Sequence, residues 1–279
     1  MVLFVFEGSK PENMLFSSLD SLCLHIGEQK IKCVFHTNIY QLYKEIDDME
    51  GSQGEINTVA ILKAWLSKKG DATLKSYDSD DFSEIYLFFD YDPHAAISSG
   101  QSIGELNKRI GQMLSLFSNE TENGKLYISY PMSEAFRHTK ELPDDNYHLY
   151  QVSLDDCNRF KQLSSAFSHY KNTDFVSIGR CHSESDLANV RRNWVLLSDQ
   201  NITKANYICK GTKKHPQAKE DISQGAIFEK QVSKYILPER QIAILSAFPL
   251  FLFDYIDPQV LFEASGLSSL PSSSSLESL

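Results

Sequence analysis

The sequence predicts an α/β fold, a mainly parallel sheet flanked by helices and followed by a largely helical C-terminal region. Three observations predict it. Short, near-continuous apolar runs such as LFVF and YLFF have the composition of strands buried on both faces. Segments of helical length separate these runs through the first half of the chain, the spacing expected of βαβ units. From about Pro143 onward the strand-like runs give way to helix-compatible stretches.

MVLFVF reads as the first strand. PENMLFSSLDSLCLHI follows as a helix, with Pro11 placed at its start and Met14, Leu15, Leu19, Leu22 and Ile26 near helical spacing. KCVFHT reads as a short strand and QLYKEIDDM as a helix. Gly51 and Gly54 punctuate the chain before a second helical pattern, INTVAILKAWLSKK. After the acidic loop SYDSDDFSE comes the strand IYLFFD, then the helix IGELNKRIGQMLSLF, the loop SNETENGK and the strand LYISY. In the second half DDCNRFKQLSSAFSHY and SDLANVRRNWVLLSDQNITKANYI read as helices, the latter with Leu187, Val190, Trp194 and Leu197 three or four residues apart. AIFEKQVSKYIL and RQIAILSAFPLFLFDYI continue the helical theme. The expected division is a first domain over 1–142, a mainly helical region over 143–264 and a serine-rich disordered tail over 265–279.

Composition bounds the setting. With 279 residues and 42% hydrophobic content the chain can bury a full core. Its 5 cysteines form no CxxC pair and are odd in number, so neither a zinc ribbon nor a complete disulfide framework is indicated, and a reducing cytoplasm is the simplest expectation. VLFVF is too short for a signal-peptide core or a span, and a proline and an aspartate interrupt LSAFPLFLFDYI, so no membrane partner is expected. The formal net charge of -10 argues against a surface that coats nucleic acid, because phosphate binding is driven by clustered Lys and Arg. Any such contact is local. Its best candidate is ICKGTKKHPQAK, where Lys210, Lys213, Lys214 and Lys219 gather around His215; the bland alternative is a solvated loop. Arg191, Arg192 and Lys204 are further candidates for a groove, or else they solvate a helix face. The aromatic residues Trp194, Tyr207, Phe228 and Tyr235 fit a core better than a base-stacking platform.

Sites in open sheets of this kind gather just beyond the carboxyl ends of the strands. Glu7 follows MVLFVF, Asp90 and Asp92 follow IYLFF, and Glu134 follows LYISY by a few residues, so parallel neighbours would bring these carboxylates to one rim. Residues i and i+2 of an extended segment point the same way, which puts Asp90 and Asp92 roughly 7 Å apart at Cα. Carboxylates so crowded hold protons more tightly unless a cation neutralises them, and an all-oxygen ligand set favours a hard ion, Mg²⁺ or Mn²⁺.

A strand ending in Glu-Gly, FVFEGSKPE, and a later strand ending in Asp-x-Asp, LFFDYDPH, resemble the TOPRIM domain of topoisomerases, primases and several nucleases, a Rossmann-like catalytic fold. The closer resemblance is to the stand-alone RloB-like and OLD-type TOPRIM proteins of bacterial defence loci. The RloB-like motif E-G-x-K-x-E matches Glu7, Gly8, Lys10 and Glu12, and a later S-x-P-x-x-E segment matches Ser129, Pro131 and Glu134. The resemblance covers about residues 1 to 140. It departs from the pattern after Glu134, where AFRHTK turns basic early.

The resemblance implies phosphodiester hydrolysis by a cytoplasmic, Mg²⁺- or Mn²⁺-dependent nuclease acting on DNA or on tRNA and other RNA in antiviral defence. Asp90 and Asp92, with Glu7 and Glu134, would ligate metal; Glu7 could instead accept a proton from the attacking water. Gly8 would let the backbone approach a phosphate, and Lys10 would stabilise charge in the transition state. His94 is either a proton donor or a surface residue. Arg137, with His138 and Lys140, would balance the acidic site and contact nucleic acid, or simply favour a helix C-terminus. The chain has no GxxxxGK[ST] loop, so ATP-driven sensing would need a separate ATPase partner, and a homo-oligomer is left open. The rival reading is a non-catalytic interaction subunit that uses its acidic rim to bind a metal, a nucleotide or the ATPase. Topoisomerase or primase activity is disfavoured, because the chain is short and lacks the added domains of those enzymes.

Overall fold

The computed structural model describes residues 1–256 except 9, 25, 27, 54, 55, 99 and 170–174, and omits the side chains of 49–53, 95 and 96. The expected serine-rich tail lies outside the described residues.

In chain order the elements are β1 (Val2–Phe6), α1 (Pro11–Leu19), β2 (Lys30–Val34), α2 (Ile39–Gln53), α3 (Thr58–Lys68), β3 (Glu84–Asp90), α4 (Pro93–Ser98), α5 (Ile103–Leu116), β4 (Ser118–Asn119) and β5 (Gly124–Ser129). They continue as β6 (Gln151–Ser153), α6 (Phe160–Phe167), α7 (Glu184–Lys210), α8 (Gln224–Lys230), α9 (Leu237–Glu239), β7 (Gln241–Ala243) and α10 (Ala247–Tyr255). The main sheet runs β2-β1-β3-β5-β4. Its first four strands are parallel, and only β4, a two-residue strand in the segment expected to be a plain loop, runs antiparallel to β5.

Alternation along the strands sends side chains to two covered faces. Phe4 and Phe6 face α1 and α10: the Phe4 and Phe16 ring centroids lie 4.3 Å apart, and Phe248 stacks on Phe88 at 4.7 Å. Phe251 meets Phe88 and Tyr127 edge-on at 5.3 and 5.5 Å. On the opposite face Phe35 stacks on Trp65 of α3 at 5.2 Å and meets Phe89 edge-on at 5.6 Å. Truncating one such buried ring to alanine costs roughly 3–5 kcal/mol.

One buried core therefore crosses the expected boundary at residue 142. The C-terminal α10 lies on the sheet of the first half, and Leu245 bridges antiparallel to Tyr130 beyond β5. The segment RQIAILSAFPLFLFDYI was expected to be helical throughout. Its first part instead forms β7, paired antiparallel with β6, and the helix begins only at Ala247, after Ser246. β-Branched Ile242 and Ile244 fit a strand, and Pro249 sits in the first turn of α10, where its missing N–H costs no helical bond.

The long helix α7 packs behind α1. Its Ser183 side chain accepts from the Asp186 N–H in a capping box, and Gly211 ends it at a φ of 78°. Trp194 is fully buried and donates to the Ser18 hydroxyl at 3.0 Å, and Phe228 is buried too, which places these rings in the core rather than on a stacking platform. Lys204 is not a groove residue. It is completely buried, its ammonium donating to the carbonyls of Tyr147 at 3.0 Å and Tyr150 at 2.6 Å. Arg191 donates to the Leu22 carbonyl at 2.8 Å. All 5 cysteines are free, and among the described residues no helix is long and apolar enough to cross a membrane.

Candidate active site

Glu7 is the first residue beyond β1, yet its backbone remains clamped by both neighbouring strands. Its N–H donates to the Phe88 carbonyl at 3.0 Å, and its own carbonyl accepts the His36 N–H at 3.1 Å. His36 holds a left-handed φ of 64° to make that turn at the end of β2. With the backbone fixed, the Glu7 side chain reaches the next strand, where Oε2 accepts the Asp90 N–H at 2.9 Å.

Asp90 ends β3 opposite Ser129 of β5. The following Tyr91 N–H donates to the Ser129 carbonyl at 3.0 Å and the Asp92 N–H to the Pro131 carbonyl at 2.9 Å, so the chain leaves β3 still tied to β5. Asp92 Oδ1 then accepts the His94 N–H at 3.1 Å at the start of α4. His94 was expected at a loop start. It sits in the first turn of this short helix, exposed, with its imidazole 3.5 Å from the Ser98 hydroxyl.

Two more carboxylates close the group. Glu12, in the first turn of α1, turns back over Gly8, and a Cβ placed on Gly8 would stand 3.2 Å from both Glu12 oxygens. Glu134, on the 3₁₀ turn Ser133–Arg137 that follows β5, is buried and pairs with the exposed Lys161 at 3.2 Å. A side chain at Gly8 would thus press on the Glu12 carboxylate, which would have to shift by a few tenths of an ångström.

Burial and mutual repulsion govern the electrostatics. Burial, with added repulsion from Glu12 and Asp92, pushes the Glu7 carboxyl up to about 8, against the opposing effect of the Asp90 N–H. Asp90 is raised well above the usual carboxylate range by burial and then by Glu7, Glu12 and Glu134. Burial also raises Glu12, with Glu134 adding to it, and raises Asp92, which the His94 N–H partly relieves. Among the described residues Glu12 Oε2 is buried with no hydrogen-bond partner, and Glu7, Glu12, Asp90 and Asp92 make no ion pair.

The expected residues divide into two groups. Glu7, Gly8, Asp90, Asp92 and Glu134 come together. Lys10 is exposed just before α1. Arg137 is buried rather than presented to a polynucleotide, its guanidinium donating to the Lys161 carbonyl at 3.3 Å and the Ser165 hydroxyl at 2.9 Å. Lys210 pairs with Asp221 at 3.0 Å and Lys213 with Asp145 at 3.6 Å, while Lys214 is exposed in the same loop; these contacts do not reach the carboxylates. Glu12 stood in the motif without an assigned role. Ser133, whose backbone and hydroxyl favour the charged forms of Asp90 and Glu12, and Lys161, which pairs with Glu134, carried no signal, because tertiary packing brings each of them to the rim from its own segment.

The fold and the site define an α/β protein whose central parallel strands end in a crowded, partly protonated carboxylate rim. No family model, curated protein or solved structure matches the chain. Among the described residues no three His, Cys, Asp or Glu side chains surround a point in a geometry that would hold a metal ion.

Proposed function

We propose that this chain is a TOPRIM-type, metal-dependent nuclease that hydrolyses phosphodiesters of DNA or of tRNA and other RNA. One observation carries the reading: Glu7, Asp90 and Asp92, at the ends of two adjacent parallel strands, all hold their protons more tightly than usual through burial, to which neighbouring carboxylates add for Glu7 and Asp90, and among the described residues none of the three makes an ion pair. Structural carboxylates are ordinarily paired or solvated, and perturbed acids cluster at functional sites.

The donor chemistry suits a hard divalent ion, and binding one would require the side chains to draw together, since among the described residues no three of them surround one point. The donor set is composed entirely of carboxylate oxygens, and among the described residues Glu12 Oε2 is a buried acceptor that lacks a donor. Glu7, Asp90 and Asp92, with Glu134, would hold Mg²⁺ or Mn²⁺. Such an ion, when bound, lowers the pKa of a water and neutralises charge on a phosphoryl group. Glu7 is the residue suited to move a proton, since burial places its carboxyl near neutrality. To do so it must release the Asp90 N–H that its Oε2 now accepts. The buried aromatic layer beneath the rim, Phe6, Phe88 and Phe248, keeps water away from the inner side of these carboxylates.

The setting we propose is a cytoplasmic antiviral effector. With no P-loop in the chain, a separate ATPase would supply any ATP-driven trigger. Titration calorimetry with Mn²⁺ tests the site itself: wild type binds and releases protons on binding, and Asp90→Asn loses at least about tenfold in affinity, the cost of removing one charged ligand. A wild type that binds neither Mn²⁺ nor Mg²⁺ at millimolar concentration ends this reading.

A further inference from the structure

Tyr91 lies between the two aspartates and points away from them into the core, as the two-residue period of an extended chain requires. It is fully buried, and its hydroxyl donates to Asn107 Oδ1 of α5 at 2.7 Å. The peptide joining Tyr91 to Asp92 is held at both of its polar atoms. From the β5 side the Pro131 carbonyl accepts the Asp92 N–H at 2.9 Å, and from the opposite side the Tyr40 hydroxyl donates to the Tyr91 carbonyl. Rotation of this peptide plane would swing the Asp92 carboxylate relative to Asp90, and the two bonds together prevent it. Tyr40 belongs to the first turn of α2, just past β2, so a third strand-to-helix connection contributes to the rim. Its ring is half-buried, and its phenol feels Asp92 and Glu7 in addition to burial and Tyr91.

We propose that Tyr40 is a positioning residue for the acidic rim: by fastening the Tyr91 carbonyl it sets the spacing of Asp90 and Asp92 for a divalent cation, which rests on the function proposed above. A hydroxyl bonded to a carbonyl adds one hydrogen bond to the fold, which many positions could supply. Placed on the peptide between two ligands, it governs geometry where small displacements cost most. Tyr43, one turn along α2, is the internal comparison. Its hydroxyl meets Gln112 at 3.0 Å on the exposed side of the helix, a hydrogen bond of the same type with no carboxylate rim beside it.

The test is Mn²⁺ titration of the full chain as wild type, Tyr40→Phe and Tyr43→Phe, each with a thermal scan in EDTA. Tyr40→Phe is expected to weaken Mn²⁺ binding about five- to tenfold, the worth of one well-placed hydrogen bond, with a melting midpoint within a few degrees of wild type. Tyr43→Phe is expected to bind as wild type does. Equal affinities in all three overturn the positioning role and leave the proposed function standing. A Tyr40→Phe chain that fails to fold also overturns it, because its hydroxyl would then serve the core. A wild type that binds no Mn²⁺ overturns the function and this inference together.

Discussion

Replacing Glu7 by Gln should stabilise the metal-free protein, and should do so only as the pH rises. The physical reason is the environment of the carboxyl: Glu7 is held against the backbone of β3, close to Glu12 and Asp92, and its proton leaves only at about 8 against an ordinary value of 4.5. The folded state therefore binds more protons than the unfolded chain between these values, and stability falls as pH climbs through the window. Below pH 4.5 the favourable proton uptake is fully present; above 8 it is gone. At 1.36 kcal/mol per pH unit the whole window corresponds to at most about 5 kcal/mol, and between pH 5 and pH 8.5 to roughly 4 kcal/mol. Glutamine keeps an oxygen for the Asp90 N–H and removes the charge, so the variant should lack this loss. For a chain of this size the difference is a melting-point gain of about 8–16 °C over wild type at pH 8.5, shrinking to a few degrees at pH 5. Urea unfolding of both proteins in EDTA across that range measures it. Parallel pH profiles for wild type and Glu7→Gln, or a variant less stable than wild type at pH 8.5, would refute the electrostatic argument.

Three further changes probe other parts of the structure. Gly8→Ala places a methyl 3.2 Å from both oxygens of the confined Glu12 carboxylate; it should cost about 1 kcal/mol of stability and weaken Mn²⁺ binding, read by urea unfolding and calorimetry. Gly124→Ala, at a φ of 112° and with its Cβ 2.7 Å from Leu87 Cδ1, should cost more than about 2 kcal/mol, yet leave the Mn²⁺ affinity of the folded protein unchanged because it lies at the far end of β5 from the rim. Lys204→Met strips the donor from the carbonyls of Tyr147 and Tyr150 in a fully buried site and should cost roughly 2–4 kcal/mol in urea, with no effect on Mn²⁺ binding.

The sheet was legible because its strands are apolar runs set between periodic helices, and that pattern depends on burial alone. The rim was legible for the same reason: a charged residue at the end of a buried strand can only be at its edge, which located Glu7, Asp90 and Asp92. Two features were hidden. The strand β7 was read as helix, because the run from Ile242 to Phe253 is apolar apart from Ser246 and Pro249, whose value as a helix start was not used, and because its pairing with β6 depends on a partner about ninety residues away. Lys204 and Arg137 were read as surface cations because Lys and Arg are seldom fully buried; backbone carbonyls that no local sequence signal announces receive them both. The contact of Tyr40 with the Tyr91 carbonyl links the ends of β2 and β3, which β1 separates in the sheet, and could not be seen from its own segment.

The measurement that tests the central claim most directly is divalent-metal-dependent cleavage of a panel of plasmid DNA, single-stranded DNA and total tRNA by wild type, Glu7→Ala and Asp90→Ala, with folding of each checked by circular dichroism. Cleavage of at least one substrate by wild type, abolished by EDTA and by either substitution in a folded protein, is the predicted result. Metal-dependent cleavage that survives in both folded variants would contradict it, as would a wild type that binds Mn²⁺ yet cleaves nothing, alone or with an ATPase partner; that outcome would make the rim a binding site instead.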